Sequence, residues 1–237
     1  MSNRAVILLM VNAALGGIVM CGSFLLMALY SDLLKYYSID GDATGAHEPG
    51  DFFPNKRAPI IIDAGKRTLQ YAKWGFHHSG NGKSVINARA ESVMSKPMFK
   101  DSFFCRRCVV PANYFYEWKR EGGKKVKYKI SLRNEPLISL GGIYKMTLDE
   151  NSRKQLAFVI ITTEANEQLK TIHHRMPLII RNDQLELWLN NRTPQRQIMN
   201  ILANDAYEDS FFSEEITDSK RDSKDDKDDK LGQMSLF

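Results

Sequence analysis

Residues Arg106–Leu132 read RRCVVPANYFYEWKREGGKKVKYKISL, and this run decides the fold class. Cys108–Val110 is a short apolar run halted by Pro111. Tyr114–Lys119 is crowded with aromatic residues, which favour strands. Lys125–Leu132 alternates polar and apolar side chains with the period of a half-buried strand. Between the last two, Glu121-Gly122-Gly123-Lys124 supplies the two glycines that a tight hairpin turn prefers. The stretch therefore predicts a strand followed by a β-hairpin.

Working outward, Ala58–Asp63, Thr68–Phe76, Leu137–Tyr144 and Ala157–Thr163 are further strand patterns, and Gly41–Asn55 reads as a loop. Helical spacing is confined to short segments around Ala90–Met94, Asn166–Ile172, Asp183–Leu189 and Pro194–Leu202. The sum is an α+β domain built on a curved, mainly antiparallel, barrel-like β-sheet with peripheral helices.

The 237 residues suffice for one sizeable domain with appendages. The net charge of +5 is unevenly placed: residues 213–230 hold eight acidic and five basic side chains, so the rest carries +8. A basic body fits an anionic partner such as nucleic acid, or simply solubilising charge. Three cysteines, an odd count without framework spacing, point to a reducing compartment.

Ala5–Tyr30 is largely apolar and long enough to span a bilayer. Past Met20, however, Leu26, Leu29, Leu33, Leu34 and Tyr37 recur at helical spacing with Asp32 and Lys35 on the other face. That favours a short strand at Cys21–Phe24 and then an amphipathic helix, with no membrane span. Residues 1–19 are read as a leader or as an extension upstream of a start at Met20. The Gly16-Gly17 codons are compatible with a ribosome-binding sequence before that methionine.

Cys21 matters because a cysteine at an N-terminus joins an α-amine to a thiol. An aldehyde captured by that pair closes into a thiazolidine. Three other segments are more polar than a core requires: Asn87-Ala88-Arg89-Ala90-Glu91-Ser92, Arg106–Trp118 and His173-His174-Arg175-Met176-Pro177. With Met20-Cys21-Gly22 and Trp74-Gly75-Phe76 they resemble, in order and spacing, the SRAP family (SOS response-associated peptidase), whose members process abasic sites in DNA. The resemblance runs from Met20 to about Asn190. It implies a basic groove for single-stranded DNA and a mature N-terminal cysteine that crosslinks to the abasic-site aldehyde, with no cofactor and no metal.

What the resemblance implies is specific. Cys21 is the nucleophile, against the ordinary fate of a buried small hydrophobe. Glu117, otherwise a solvent-facing carboxylate, is the acid/base for removal of Met20 and for proton transfers at the imine. His173 faces the sugar and protonates its ring oxygen, and Asn87 positions the cysteine or the sugar. Arg89 grips a phosphate, the alternative being an ion pair with Glu91. Trp74 stacks under a base or packs in the core, and Pro54 corresponds to a proline in the loop entering the groove. Ser23 stands where the family has an arginine, and His77-His78 replaces an apolar-Pro continuation.

Two further readings concern other segments. Cys105-Arg106-Arg107-Cys108 is a C-x-x-C pair that a histidine pair, His77-His78 or His173-His174, would complete as a zinc site. It runs into a β-like segment instead of a knuckle, which disfavours zinc. Ser213–Lys230 is nearly free of apolar residues and is expected to be disordered. It leads to Gln233-Met234-Ser235-Leu236-Phe237, which resembles the bacterial sliding-clamp-binding peptide. Leu236 and Phe237 would fill an apolar pocket while Gln233 makes directional hydrogen bonds. A tether of about twenty residues reaches roughly 25 Å.

The expected organisation is thus 1–19 extension, 20–212 SRAP domain and 213–237 charged tail. The expected protein is a cytoplasmic, nucleoid-associated monomer that frees Cys21 and captures abasic sites in single-stranded DNA. A peptidase acting on other proteins and a non-covalent single-stranded DNA-binding module are the alternatives.

Overall fold

The protein, a computed structural model, is described at residues 21–40, 48–77, 84–203 and 210–216. The chain opens with β1 (Phe24–Leu26), α1 (Tyr30–Tyr36), β2 (Gly50–Phe52), β3 (Arg57–Asp63), β4 (Arg67–Trp74), β5 (Phe76–His77), β6 (Ser84–Val85) and β7 (Asn87–Arg89). Helices α2 (Ala90–Val93) and α3 (Pro97–Cys105) precede β8 (Arg107–Ala112), β9 (Tyr114–Glu121), β10 (Lys124–Leu132), β11 (Ile138–Leu148) and β12 (Lys154–Glu164). Then come α4 (Glu167–Lys170), β13 (Arg175–Pro177), α5 (Leu185–Leu189), α6 (Gln195–Leu202) and β14 (Phe211–Ile216).

The hairpin expected from the double glycine forms, with Gly122 and Gly123 at φ 54° and 80° joining β9 to β10. These two strands are the middle of an antiparallel sheet ordered β14-β10-β9-β1-β2. The other sheet closes on itself: β11 pairs β8, β8 pairs β3, β3 pairs β4, β4 pairs β12 and β12 returns to β11. Closure leaves the barrel without free edges along that circuit and explains why β8 is buried throughout. All pairings in the ring are antiparallel except β4 with β12. The α+β, barrel-like expectation is met.

Several boundaries differ for local reasons. The first strand starts at Phe24, where it meets Phe52 and Phe115, and Cys21 lies before it at φ 41°. The predicted strand Thr68–Phe76 is broken at Gly75, whose φ is 128° and where a Cβ would sit 2.1 Å from the Ser84 hydroxyl. Helix α3 escaped the periodicity reading because only Phe99, Ser102 and Phe103 are buried in it; Pro97 at its start is the cue that was available. Strand β2 lies in the segment read as a loop. At the other end, β14 pairs with β10 through Ile216, so the sheet runs past Ser213, where the disordered tail was expected to begin. Backbone pairing makes that strand, since only Phe211 of it is buried. Among the described residues no helix is long and apolar enough to cross a membrane.

Candidate active site

Glu117 lies on the side of β9 opposite Tyr116 and Trp118, with 3% of its surface exposed. The solvent-facing alternative is thereby removed. The Cys21 backbone N–H donates to Glu117 Oε1 at 2.7 Å, and the Tyr116 N–H donates to the Ser23 carbonyl at 3.1 Å, which pins the chain after Cys21 against β9. Burial pushes the Glu117 carboxyl up to about 8, although the Cys21 and Trp118 backbone amides hold it lower than burial alone would. Burial, and then the Glu117 carboxyl, also push the Cys21 thiol well above its ordinary range. Cys21 adopts a left-handed φ of 41°, a conformation that costs a non-glycine residue roughly 1–3 kcal/mol.

The other polar segments meet at the end of β12. Strand β7 runs parallel to β12, with Asn87 opposite Ile160 and Arg89 opposite Thr162. On the other side β13 pairs Pro177 with Thr162 and Arg175 with Glu164. One strand thus separates the two segments, placing them about 10 Å apart. Arg89 is exposed. Its alternative partner Glu91 is engaged by Arg175, whose Nη1 donates to Oε1 and whose Nη2 donates to Oε2 at 3.0 Å.

His173 precedes β13. Its Nδ1 accepts the Arg175 backbone N–H at 3.1 Å and also lies 3.2 Å from the Arg175 carbonyl oxygen. The N–H aims its hydrogen at Nδ1, so the ring's own proton belongs on Nε2. That Nε2 is buried and has no hydrogen-bond partner among the described residues. Desolvation lowers the imidazole below its usual range. Desolvation thus favours the neutral ring, with Nε2–H as the donor that faces away from the Arg175 main chain.

Trp74 is fully buried between Phe24 and Phe158, with ring centroids 5.4 and 6.0 Å away, and its Nε1 donates to the Ile86 carbonyl at 3.0 Å. The base-stacking role is corrected to a core role: the ring offers no face to DNA and ties the strand after Cys21 to the residue before Asn87. Pro54 is buried too, so it shapes the turn between β2 and β3 and does not line an open surface. Ser23 is 1% exposed, with a buried Oγ that lacks a partner among the described residues.

Arg107, within the polar Arg106–Trp118 run, serves the core: its guanidinium donates to the carbonyls of Phe103, Phe104, Trp188 and Asn190. Cys105 is exposed at the end of α3 and Cys108 is buried in β8. No metal-competent group of three or more His, Cys, Asp or Glu occurs among the described residues. Met20, residues 1–19, His78, Gln233, Leu236 and Phe237 lie outside the described residues. Reading the sequence residue by residue missed the pairing of Glu91 with Arg175. Their only signal was membership of the two polar segments.

Comparison with known proteins gives a consistent result. The profile of the SOS response associated peptidase (SRAP) family matches residues 20–219. The abasic site processing protein YoaM of Bacillus subtilis is 34% identical over 180 residues, covering 72% of this chain and 79% of that one. The abasic site processing protein YedK of Escherichia coli is 24% identical over 201 residues, covering 82% and 90%. A crystal structure of a Bacteroides thetaiotaomicron protein superposes with a TM-score of 0.73 at 26% identity, covering 84% of this chain and 93% of that one.

Proposed function

Because this chain belongs to the SOS response associated peptidase family of abasic site processing proteins, we propose that it captures abasic sites in single-stranded DNA covalently through Cys21. The observation that carries this reading is the 2.7 Å contact between the Cys21 nitrogen and a buried carboxyl that stays largely protonated at pH 7. In the precursor, water adds to the Met20 carbonyl carbon, Glu117 hands its proton to the departing Cys21 nitrogen as the C–N bond breaks, and the proton released by the attacking water returns to the Glu117 carboxylate. The freed α-amine titrates near ~8, so part of it is neutral at pH 7.

Capture then needs an open-chain aldehyde. The Nε2–H of His173 donates to the sugar ring oxygen as the C1–O bond breaks, acting as a neutral electrophile, and the proton that leaves the C1 hydroxyl ends on that oxygen. Asn87 orients the sugar or the Cys21 amine. The amine adds to the aldehyde carbon and water leaves, with Glu117 relaying the protons. The Cys21 thiol adds last, to the imine carbon, closing the thiazolidine. One aldehyde, one amine and one thiol give one ring and one water. This order suits a thiol that burial keeps protonated. Arg89, exposed beside Asn87, holds a backbone phosphate. Cys21, Glu117, Asn87 and His173 all belong to one chain, so this reading needs no second copy, and its DNA substrate places the protein at the nucleoid.

Intact mass with and without an abasic oligonucleotide tests the reading. The expected result is a chain beginning at Cys21 and a denaturation-resistant adduct that Cys21→Ala abolishes. Turnover of exogenous peptides, or a complex that denaturation dissolves, would support the peptidase or the binding-module alternative instead.

The QMSLF terminus supports a second partner, the bacterial sliding clamp, contacted through Gln233, Leu236 and Phe237. Residues 217–232 separate that peptide from β14, leaving the domain beside the clamp.

A further inference from the structure

The residues assigned to capture stand on two different sheets. Cys21 and Glu117 belong to the five-stranded sheet, Cys21 just ahead of β1 and Glu117 within β9. Asn87 and His173 belong to the barrel, Asn87 in β7 and His173 just ahead of β13. Among the described residues no strand ladder joins the two sheets, so side-chain contacts set one half of the site against the other. For Asn87 that contact is Trp74, packed on Phe24 of β1 and bonded to the Ile86 carbonyl.

For His173 the corresponding contact runs through Phe211, the first residue of β14. Phe211 is fully buried, and its ring meets that of Phe115 edge-on with centroids 6.4 Å apart. Phe115 lies two residues before Glu117, on the same face of β9. Strand β14 is also keyed to β9 through β10, where Tyr128 stands opposite both Glu117 and Glu215. The main chain of Phe211 is gripped from the barrel side. Gln168 Nε2 donates to the Phe211 carbonyl at 2.6 Å, and the Phe211 N–H donates to Gln168 Oε1 at 3.1 Å. Gln168 belongs to α4, onto which the His173 segment folds back. The His173 N–H donates to the Leu169 carbonyl at 2.9 Å, and the Ala165 N–H donates to the His174 carbonyl at 3.1 Å. Leu169 is buried and its N–H is capped by Asn166, so residues 165–174 form one compact unit.

We propose that Gln168 is a positioning residue: by clasping Phe211 it holds His173 in register with Cys21 and Glu117. One donor and one acceptor in a single plane fix both the place and the orientation of the strand they grip. Strand β14 has few other anchors, since Phe211 is its one buried residue. The Cys21–Glu117 contact lies within one sheet and does not pass through the clasp. Bringing His173 to a sugar held at Cys21 does. The clasp therefore serves capture and leaves self-processing alone.

This inference rests on the proposed part of His173 in sugar opening, and its test in the full chain separates the two. Gln168→Leu keeps the bulk of a half-buried side chain and removes both bonds. Intact mass is expected to show the same mature N-terminus as wild type. Single-turnover crosslinking to an abasic oligonucleotide should slow by about tenfold or more at saturation, because misplacement of order 1 Å costs about a hundredfold. Affinity for the same oligonucleotide carrying a tetrahydrofuran analogue should stay within about twofold. The His173 amide, bonded to Leu169, should lose protection against hydrogen exchange.

A wild-type crosslinking rate in Gln168→Leu overturns the clasp. Equal losses of processing and crosslinking overturn it in favour of general destabilisation, and equal losses of rate and affinity in favour of a DNA contact by α4. If wild type itself forms no adduct, the capture reading fails. Exchange at the His173 amide then decides the clasp, and unchanged protection in Gln168→Leu overturns it.

Discussion

The backbone nitrogen of Cys21 donates to Oε1 of Glu117 at 2.7 Å although 96 positions separate them in sequence. The contact puts a buried, proton-retaining carboxyl on the atom that the proposed self-processing would free as an amine. Glu117→Gln keeps the shape and loses the transferable proton. Mass spectrometry of that variant is expected to show a chain that still carries Met20, with no abasic-site adduct. A Glu117→Gln protein that begins at Cys21 would remove the carboxyl from self-processing.

The same carboxyl makes stability depend on pH in an unusual direction. Folded, Glu117 holds its proton up to about pH 8; unfolded, it releases it near the ordinary 4.5. The folded chain binds the extra proton between those limits, so stability is full below about pH 4.5 and declines as pH rises to about 8. The cost accumulated at the upper end is on the order of a few kcal/mol. Thermal melts of wild type and Glu117→Gln should diverge across this window, with the variant the more stable at pH 8. Parallel curves would show that the carboxyl ionises freely in the fold.

Trp74 is expected to behave as a core residue. Trp74→Ala should lower stability by about 3–5 kcal/mol. Trp74→Phe keeps most of the packing and forfeits the bond to the Ile86 carbonyl, a loss of about 1–3 kcal/mol. Oligonucleotide affinity measured on the folded Trp74→Phe variant should be close to wild type. A large drop in affinity without a drop in stability would restore the stacking role.

For Arg89 the signature is salt dependence. Arg89→Ala should weaken non-covalent binding of single-stranded oligonucleotides similarly for all sequences and reduce the slope of log affinity against log salt by about one. An unaltered slope would exclude the phosphate contact.

Removing Gln233–Phe237 should abolish retention on immobilised sliding clamp and leave the crosslinking rate unchanged. Equal retention of the shortened chain would show that the terminal peptide is not the contact.

The hairpin was legible because Gly122-Gly123 and the alternation of Lys125–Leu132 are local properties, dictated by backbone sterics and by which face of a strand meets water. Cys21 as the residue of interest was legible as well, through the ordered set of motifs and not through any one of them. What escaped the one-dimensional reading depends on pairing between distant segments. The extension of the sheet to Ile216 comes from backbone bonds to β10, because the side chains of Ser213–Glu215 carry no strand signal. For Trp74 a base-stacking role stood beside core packing as the stronger reading, and the rings of Phe24 and Phe158 around it decided for the core.

By itself, then, the sequence determined the strand-rich class through residue type and spacing, and through its resemblance to the family it nominated Cys21, Asn87, Arg89, Glu117 and His173. Tertiary structure alone decided their chemistry. Burial set the protonation of Glu117, the Arg175 amide faces Nδ1 of His173, and Arg175 holds Glu91 by a forked ion pair while Arg89 is exposed. Such properties belong to the dielectric and hydrogen-bonding surroundings of a group, and those exist only once β1, β9, β12 and β13 have come together.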